Sequence, residues 1–177
     1  MIETERLVLR SWEPRDRDPF AALGRDPEVM ATLGPLLSRK ESDALIERLA
    51  GIDAEHGHTF WALERKADAA LLGFCGLVRG RAGTPIEEEP EIGWRLARTA
   101  WGQGYAREAA EACLDWAWAN LPDGAVAAIT AAVNGRSWGL MERLGMVRDP
   151  AGDFDHPMVP DGSPLKAHVT YRITRPA

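Results

Sequence analysis

The chain has 177 residues, of which 45% are hydrophobic and 27% charged. The 21 Lys and Arg stand against 27 Asp and Glu, for a net charge of −6 and a pI near 5.3. This length suits one domain with its own core, and this balance excludes disorder along the whole chain. The acidic surplus disfavours nonspecific binding to nucleic acid or an anionic membrane, and it is compatible with a cationic partner such as an amine.

The opening Met1-Ile2-Glu3-Thr4-Glu5-Arg6 is charged and lacks the apolar stretch of a signal segment. No apolar run approaches the ~20 residues that span a bilayer. A soluble, cytoplasmic protein is therefore expected. Cys75 and Cys113 each sit in an apolar run and read as buried, reduced thiols. Their spacing supports neither a disulfide framework nor a metal site, and no metal is expected. His56 and His58 are close in sequence, but two histidines do not make a metal site.

In chain order, Leu7-Val8-Leu9 reads as a first strand. Two short helices follow, over Asp16 to Leu23 and Asp26 to Leu33, broken by Gly24 and Gly34-Pro35. Ser38, with Glu41 three residues on, forms a capping box for a third helix, whose inner face is expected to carry Ala44, Leu45, Leu49 and Ile52. Thr59 to Glu64 and Leu71 to Val78 read as a hairpin joined by the polar Arg65 to Ala69. Gly80 to Pro90 is a loop. Glu91 to Leu96 is a strand whose alternation puts Ile92, Trp94 and Leu96 on one side, and Glu91 and Arg95 on the other.

Tyr105 to Ala119 is the clearest helix, with a small-residue stripe of Ala106, Ala109, Ala110, Cys113 and Ala117. Ala125 to Val133 has almost no polar residue and reads as a strand covered on both faces. Asn134 caps a short helix that ends at Gly145. Asp149 to Pro164 reads as loop, and His168 to Ile173 as a closing strand. The order predicts one α/β domain over residues 1–177, with a mixed sheet flanked by helices.

Chemistry concentrates between Leu96 and Arg107. A strand ends, a short turn carries Gly102 and Gly104, and a helix begins. Glycines let a backbone approach a ligand, and the first helical N–H groups lack internal partners. Such a turn can hold a phosphate or pyrophosphate, with Arg98 and Arg107 flanking it. The dinucleotide fingerprint wants a third glycine where Arg107 stands, and a P-loop wants Gly-Lys-Ser/Thr, so both fail.

The surroundings resemble the GNAT superfamily of N-acetyltransferases, in its RimJ/RimL-like branch. The likeness rests on Glu91 to Leu96, on Thr99 to Ala106 with Glu108-Ala109, on Asn134-Gly135-Arg136-Ser137 and on Arg143-Leu144-Gly145-Met146, with the opening Glu5 to Arg10. Thr99 stands where Arg or Gln is usual, and Met146 replaces the usual Phe. The resemblance implies a splayed sheet with acetyl-CoA in the cleft. It implies that the backbone at Leu96 holds the pantetheine arm, and that the turn Trp101, Gly102, Gln103, Gly104, Tyr105, Ala106 and Arg107 holds the pyrophosphate, with Asn134 as a further contact.

It also implies direct attack of a primary amine on the thioester, helped by a base. Ser137 is the candidate acid at the leaving sulfur and Glu91 the candidate base, with Asp155 and His156 as rivals. The alternative roles are structural: Asn134 as an N-cap, Ser137 as a third-position helix residue, and Glu91 as the solvated end of the Glu87-Glu88-Glu89 run. Trp61 or Trp94 is a candidate wall of the acceptor pocket. The acceptor is a protein or peptide N-terminus on the RimJ/RimL resemblance, and alternatively a small metabolite or drug amine. A non-catalytic acyl-CoA-binding module is the remaining alternative. A homodimer is compatible with the resemblance alone.

Overall fold

A computed structural model of the chain describes residues 1–176. Its sheet has nine strands: β1 (Ile2–Glu3), β2 (Leu7–Arg10), β3 (Phe60–Arg65), β4 (Ala70–Arg79), β5 (Pro90–Leu96), β6 (Ala125–Ala131), β7 (Val147–Arg148), β8 (Phe154–Asp155) and β9 (Ala167–Thr174). They lie in the order β1-β2-β3-β4-β5-β6-β9-β7, and β8 pairs with β9. Among the described residues every pairing of these strands is antiparallel except that of β5 with β6. That parallel pairing consists of a single register pair, Glu91 with Ala127.

The single pair shapes the molecule. β5 stays on β4 as far as Leu96, and β6 stays on β9 as far as Ala131. The two strands therefore part beyond Glu91 and Ala127, and the sheet opens into two halves at their carboxyl ends.

Five helices flank the sheet: α1 (Arg17–Gly24), α2 (Pro27–Met30), α3 (Arg39–His56), α4 (Tyr105–Asn120) and α5 (Gly135–Arg143). The small-residue stripe lets α4 lie close on the sheet. Ala109, Ala110 and Cys113 are fully buried against a core that includes Leu7, Leu9, Leu63, Cys75, Leu77 and Ile92. On the other face, Phe20, Leu23, Val29 and Ile46 pack with Phe74 of β4. Cys75 and Cys113 meet in the first core as free thiols, with sulfurs 3.8 Å apart.

The predicted capping box starts α3. The Glu41 amide donates to Ser38 Oγ, and the Ser38 amide to Glu41 Oε2. Its buried stripe is Ser42, Ile46 and Leu49, while Ala44 is exposed and Leu45 and Ile52 only flank the contact. The stripe at i, i+4 and i+7 follows the helix face that meets the Phe20 cluster, which the apolar residues alone did not reveal. The second helix is also shorter than predicted. It stops at Met30, and a turn leads to Gly34 at φ 148°.

β6 ends at Ala131 rather than Val133, which is exposed beside the Asn134 cap. The segment from Asp149 to Pro164 is not all loop. β8 pairs Phe154 with His168 and Asp155 with Ala167, so the tail is tied to β9. No helix among the described residues is long and apolar enough to cross a membrane.

The contact between α4 and the sheet has no room for a larger residue. Ala110→Leu should cost about 1–3 kcal/mol through overpacking. The check is the urea midpoint, and an unchanged midpoint would show that α4 does not sit this close.

Candidate active site

The parting of β5 and β6 leaves one edge of β5 without a strand neighbour. The Ala97 amide donates to Leu72 O at 2.8 Å, and the Arg95 carbonyl points at Gly73, where an added Cβ would come within 2.0 Å of it. These groups face β4. Alternation turns the N–H and C=O of Trp94 and Leu96 the other way, toward the gap. The Leu96 carbonyl already accepts from Trp101 Nε1 at 2.9 Å. The Leu96 amide and the polar groups of Trp94 thus present a strand edge to an extended ligand, as an amide-bearing pantetheine arm requires.

At the end of β5 the chain makes the glycine turn. Gly102 has φ 72° and Gly104 has φ 82°, in the left-handed region that favours glycine. Gly104 is the N-cap of α4 and supplies no side-chain cap. The first intrahelical bond runs from the Glu108 amide to Gly104 O, which leaves the amides of Tyr105, Ala106 and Arg107 without helical partners. By contrast, α3 and α5 both begin with side-chain caps. An uncapped, dipole-positive helix start suits a pyrophosphate.

Arg6 braces this turn from the other end of the sequence. Its Nη1 donates to Gln103 O at 3.0 Å, its guanidinium pairs with Glu108, and it lies 4.5 Å from the Tyr105 ring centre. That pairing offsets the carboxylate in the first turn of α4. Tyr105 is buried beneath Arg6, so the backbone of Tyr105 faces the turn and its ring does not. Gln103 Nε2 closes the turn on Thr99 O at 2.6 Å. Arg107 pairs with Glu111 along its own helix, and Arg98 lies beside Glu28. Both arginines are exposed, and in this arrangement they point to protein carboxylates.

Across the gap, Asn134 caps α5. Its side-chain oxygen accepts from the Ser137 amide at 3.4 Å, and its Nδ2 donates to Thr130 Oγ1 at 3.0 Å. Asn134 thereby fixes the start of α5 on the end of β6. The cap uses the Ser137 amide and not its hydroxyl, and Ser137 is half-buried. Arg136 reaches back over the gap and lies 4.4 Å from the Trp101 ring centre.

Glu91 stands where β5 and β6 part, since it is half of their one register pair. It keeps some exposure, yet protein packs densely round its carboxyl. This desolvation pushes its pKa up to about 7, against the pull of Arg81 and Arg48. Glu91 is therefore not the solvated end of an acidic run. Gly93 and Arg95 share its face. An added Cβ at Gly93 would come within 2.8 Å of the Phe60 ring, and Phe60 stacks on Phe74 at 5.2 Å.

The rival bases are placed less well. Asp155 is exposed on β8. His156 Nδ1 already accepts from the Met158 amide at 3.2 Å. Desolvation, with His168 beside it, holds its pKa below the usual imidazole value. His58 is a core residue bonded to Leu77 O. The tryptophan expectation needs correction. Trp61 is buried against Trp116, and Trp94 packs toward the same core, so Phe60 and Phe74 are the aromatic groups on the face of Glu91.

Sequence reasoning missed Arg6, Arg48 and Arg81 at this site. They come from the bend between β1 and β2, from α3 and from a loop, and no spacing connects them. Arg95 had one visible signal, its place on the same strand face as Glu91.

The turn assignment has a direct check. Gly104→Val puts a β-branched residue at positive φ beside Arg6 Nη2. Acetyl-CoA affinity should fall at least about tenfold, equal to about 1.4 kcal/mol. Calorimetry giving wild-type affinity would remove the turn from the binding site.

The acetyltransferase (GNAT) domain family matches residues 6–147. The chain is 34% identical over 148 residues to the uncharacterized protein YkkB of Bacillus subtilis, covering 82% of this chain and 84% of YkkB. An acetyltransferase structure from Agrobacterium tumefaciens is similar with a TM-score of 0.79 and 25% identity, covering 98% of this chain and 94% of that one. Spermidine N-acetyltransferase from Vibrio cholerae, solved with CoA and spermine, shares the fold at 20% identity and a TM-score of 0.74, covering 97% and 96%. With a family match over most of its length and a splayed sheet of the same shape, the chain belongs to the GNAT family and is an acetyl-CoA-dependent N-acetyltransferase.

Proposed function

We propose that the chain transfers an acetyl group to a primary amine by direct attack, with Glu91 as general base and Ser137 as the acid. The single observation that carries this reading is the Glu91 carboxyl at the parting of β5 and β6, with a pKa raised to about 7. A base with that pKa is about half ionised at neutral pH and basic enough to take a proton from an amine. A free α-amine has a pKa of roughly 7.7–8.0, so the proton to be removed is within reach.

Acetyl-CoA, when bound, supplies an activated thioester whose acetyl carbon accepts the amine nitrogen. The protein supplies the rest. The Trp94 and Leu96 edge and the amides after Gly104 hold the donor. Glu91 removes a proton from the nitrogen, directly or through one water. The Ser137 hydroxyl holds a proton for the leaving sulfur.

The RimJ/RimL-like resemblance, carried by Glu5 to Arg10 and by Asn134 to Ser137, favours a peptide N-terminus. A small amine is the second reading, and one observation favours it. Arg81 of the loop before β5 lies close enough to His156 of the tail to lower its pKa. Arg81 acts on Glu91 as well, so loop and tail both come near the place of the base, which suits a small acceptor.

Two measurements test the assignment. A carboxylate base works only when deprotonated, so kcat should rise with pH through about 7, the pKa of Glu91. Glu91→Gln should lower kcat about 100-fold and remove that rise; a retained rise would transfer the role to another group. Ser137→Ala should lower kcat about tenfold, below the usual range for proton transfer because a thiolate leaves with little help, with acetyl-CoA affinity unchanged. Equal kcat would exclude Ser137 as the acid.

A further inference from the structure

The face of Glu91 carries a surplus of positive charge that the transfer reaction does not use. Arg95 lies on β5 opposite Phe74 of β4, with its guanidinium 5.4 Å from that ring centre. Its Nε and Nη1 are sealed from solvent and make no hydrogen bond with the protein. An unpaired, desolvated guanidinium is costly, and pairing with an anion would offset that cost. The cost shows as a lowered Arg95 pKa, about 10, caused by burial and then by Arg48.

Arg48, from α3, is exposed and lies within electrostatic reach of Arg95, Arg81 and Glu91. Two guanidinium groups, Arg48 and Arg81, therefore act on the Glu91 carboxyl, and Arg48 also acts on Arg95. Phe60 and Phe74 form the apolar floor, and Gly93 keeps it open by leaving room for the Phe60 ring. A polyamine would bring more positive charge to this place. An acceptor with its own negative group would pair Arg95 and offset Arg48.

We propose that the acceptor is a small amine bearing an anionic group, a carboxylate or a phosphate as in an amino acid or an aminoalkyl phosphate, with the anion on Arg95 and Arg48 and the amine toward Glu91. The proposal rests on the acetyl-transfer reading above and narrows it. It also reverses the expectation from net charge, because the local charge of the acceptor face opposes that of the whole chain.

The test uses the full chain with acetyl-CoA and follows CoA release. The panel holds the amino acids, their decarboxylated amines, O-phosphoethanolamine against ethanolamine, spermidine, and peptides with a free N-terminus. An anionic amine should exceed its uncharged or decarboxylated counterpart at least tenfold in kcat/KM, and the better of the carboxylate and phosphate arms identifies the anion. Arg95→Met and Arg48→Gln should each lower the ratio of kcat/KM for that acceptor to kcat/KM for its counterpart amine at least tenfold. Arg95→Met should also raise the Tm of the ligand-free protein by about 3 °C, since it removes an unpaired buried charge.

Preference for spermidine, for a decarboxylated amine or for the peptides would overturn the proposal and leave acetyl transfer standing. Binding of the anionic amines to the CoA complex, seen by calorimetry without any turnover, would uphold the anion site and overturn the transfer reading. Neither binding nor turnover would overturn the proposal. So would equal losses with both kinds of acceptor in the Arg95 and Arg48 variants.

Discussion

The pairing of β5 with β6 at one position, Glu91 with Ala127, is the constraint on which the rest depends. A longer ladder would close the sheet and bury the edge of Trp94 and Leu96. No ladder would separate the two halves and lose the place where Glu91 stands. One pair holds the halves together and opens a gap of polar backbone between them. The gap is flanked by two helix starts, the uncapped α4 on one side and the Asn134-capped α5 on the other. Under the proposed function the difference in capping has a sense. The amides of α4 stay available for phosphate oxygens, while α5 is fixed so that Ser137 is held at a defined place.

Braces hold this arrangement from distant points in the chain. Arg6 ties the glycine turn to the start of the sheet, and the Trp101 indole ties it to the end of β5. Asn134 joins α5 to Thr130 of β6. The Trp101 and Asn134 braces use half-buried or buried polar groups with defined partners, and such groups fix geometry more than they add stability. Arg95 breaks that pattern. It is the guanidinium whose sealed nitrogens have no protein partner among the described residues, and it lies on the β5 face that carries Glu91. Departures from polar satisfaction gather at sites of function.

Much of this was legible in the sequence. The alternation of Glu91 to Leu96 placed Glu91 and Arg95 on one face, and the small-residue stripe of α4 announced a helix pressed on a sheet. The glycines at 102 and 104 marked a backbone that needs positive φ. Local signals of this kind depend on residues within a few positions of each other, and they were read correctly. What failed or was missing depended on tertiary partners. The inward face of α3 was set by the Phe20 cluster, and β8 by pairing with β9. The environment of Glu91 is drawn from α3, a loop and β5, so its raised pKa has no counterpart in any single stretch of sequence. The tryptophans were overvalued because an aromatic count does not say which face of the sheet a ring occupies.

The most direct test of the central claim is amide hydrogen exchange with and without acetyl-CoA. In the proposed function the donor is held by the free edge of β5 and by the first amides of α4. Acetyl-CoA should therefore slow exchange at Trp94 and Leu96, and at Tyr105, Ala106 and Arg107, while the amides of β2 and β3 keep their rates. Protection that left both segments unchanged and appeared elsewhere would contradict the account.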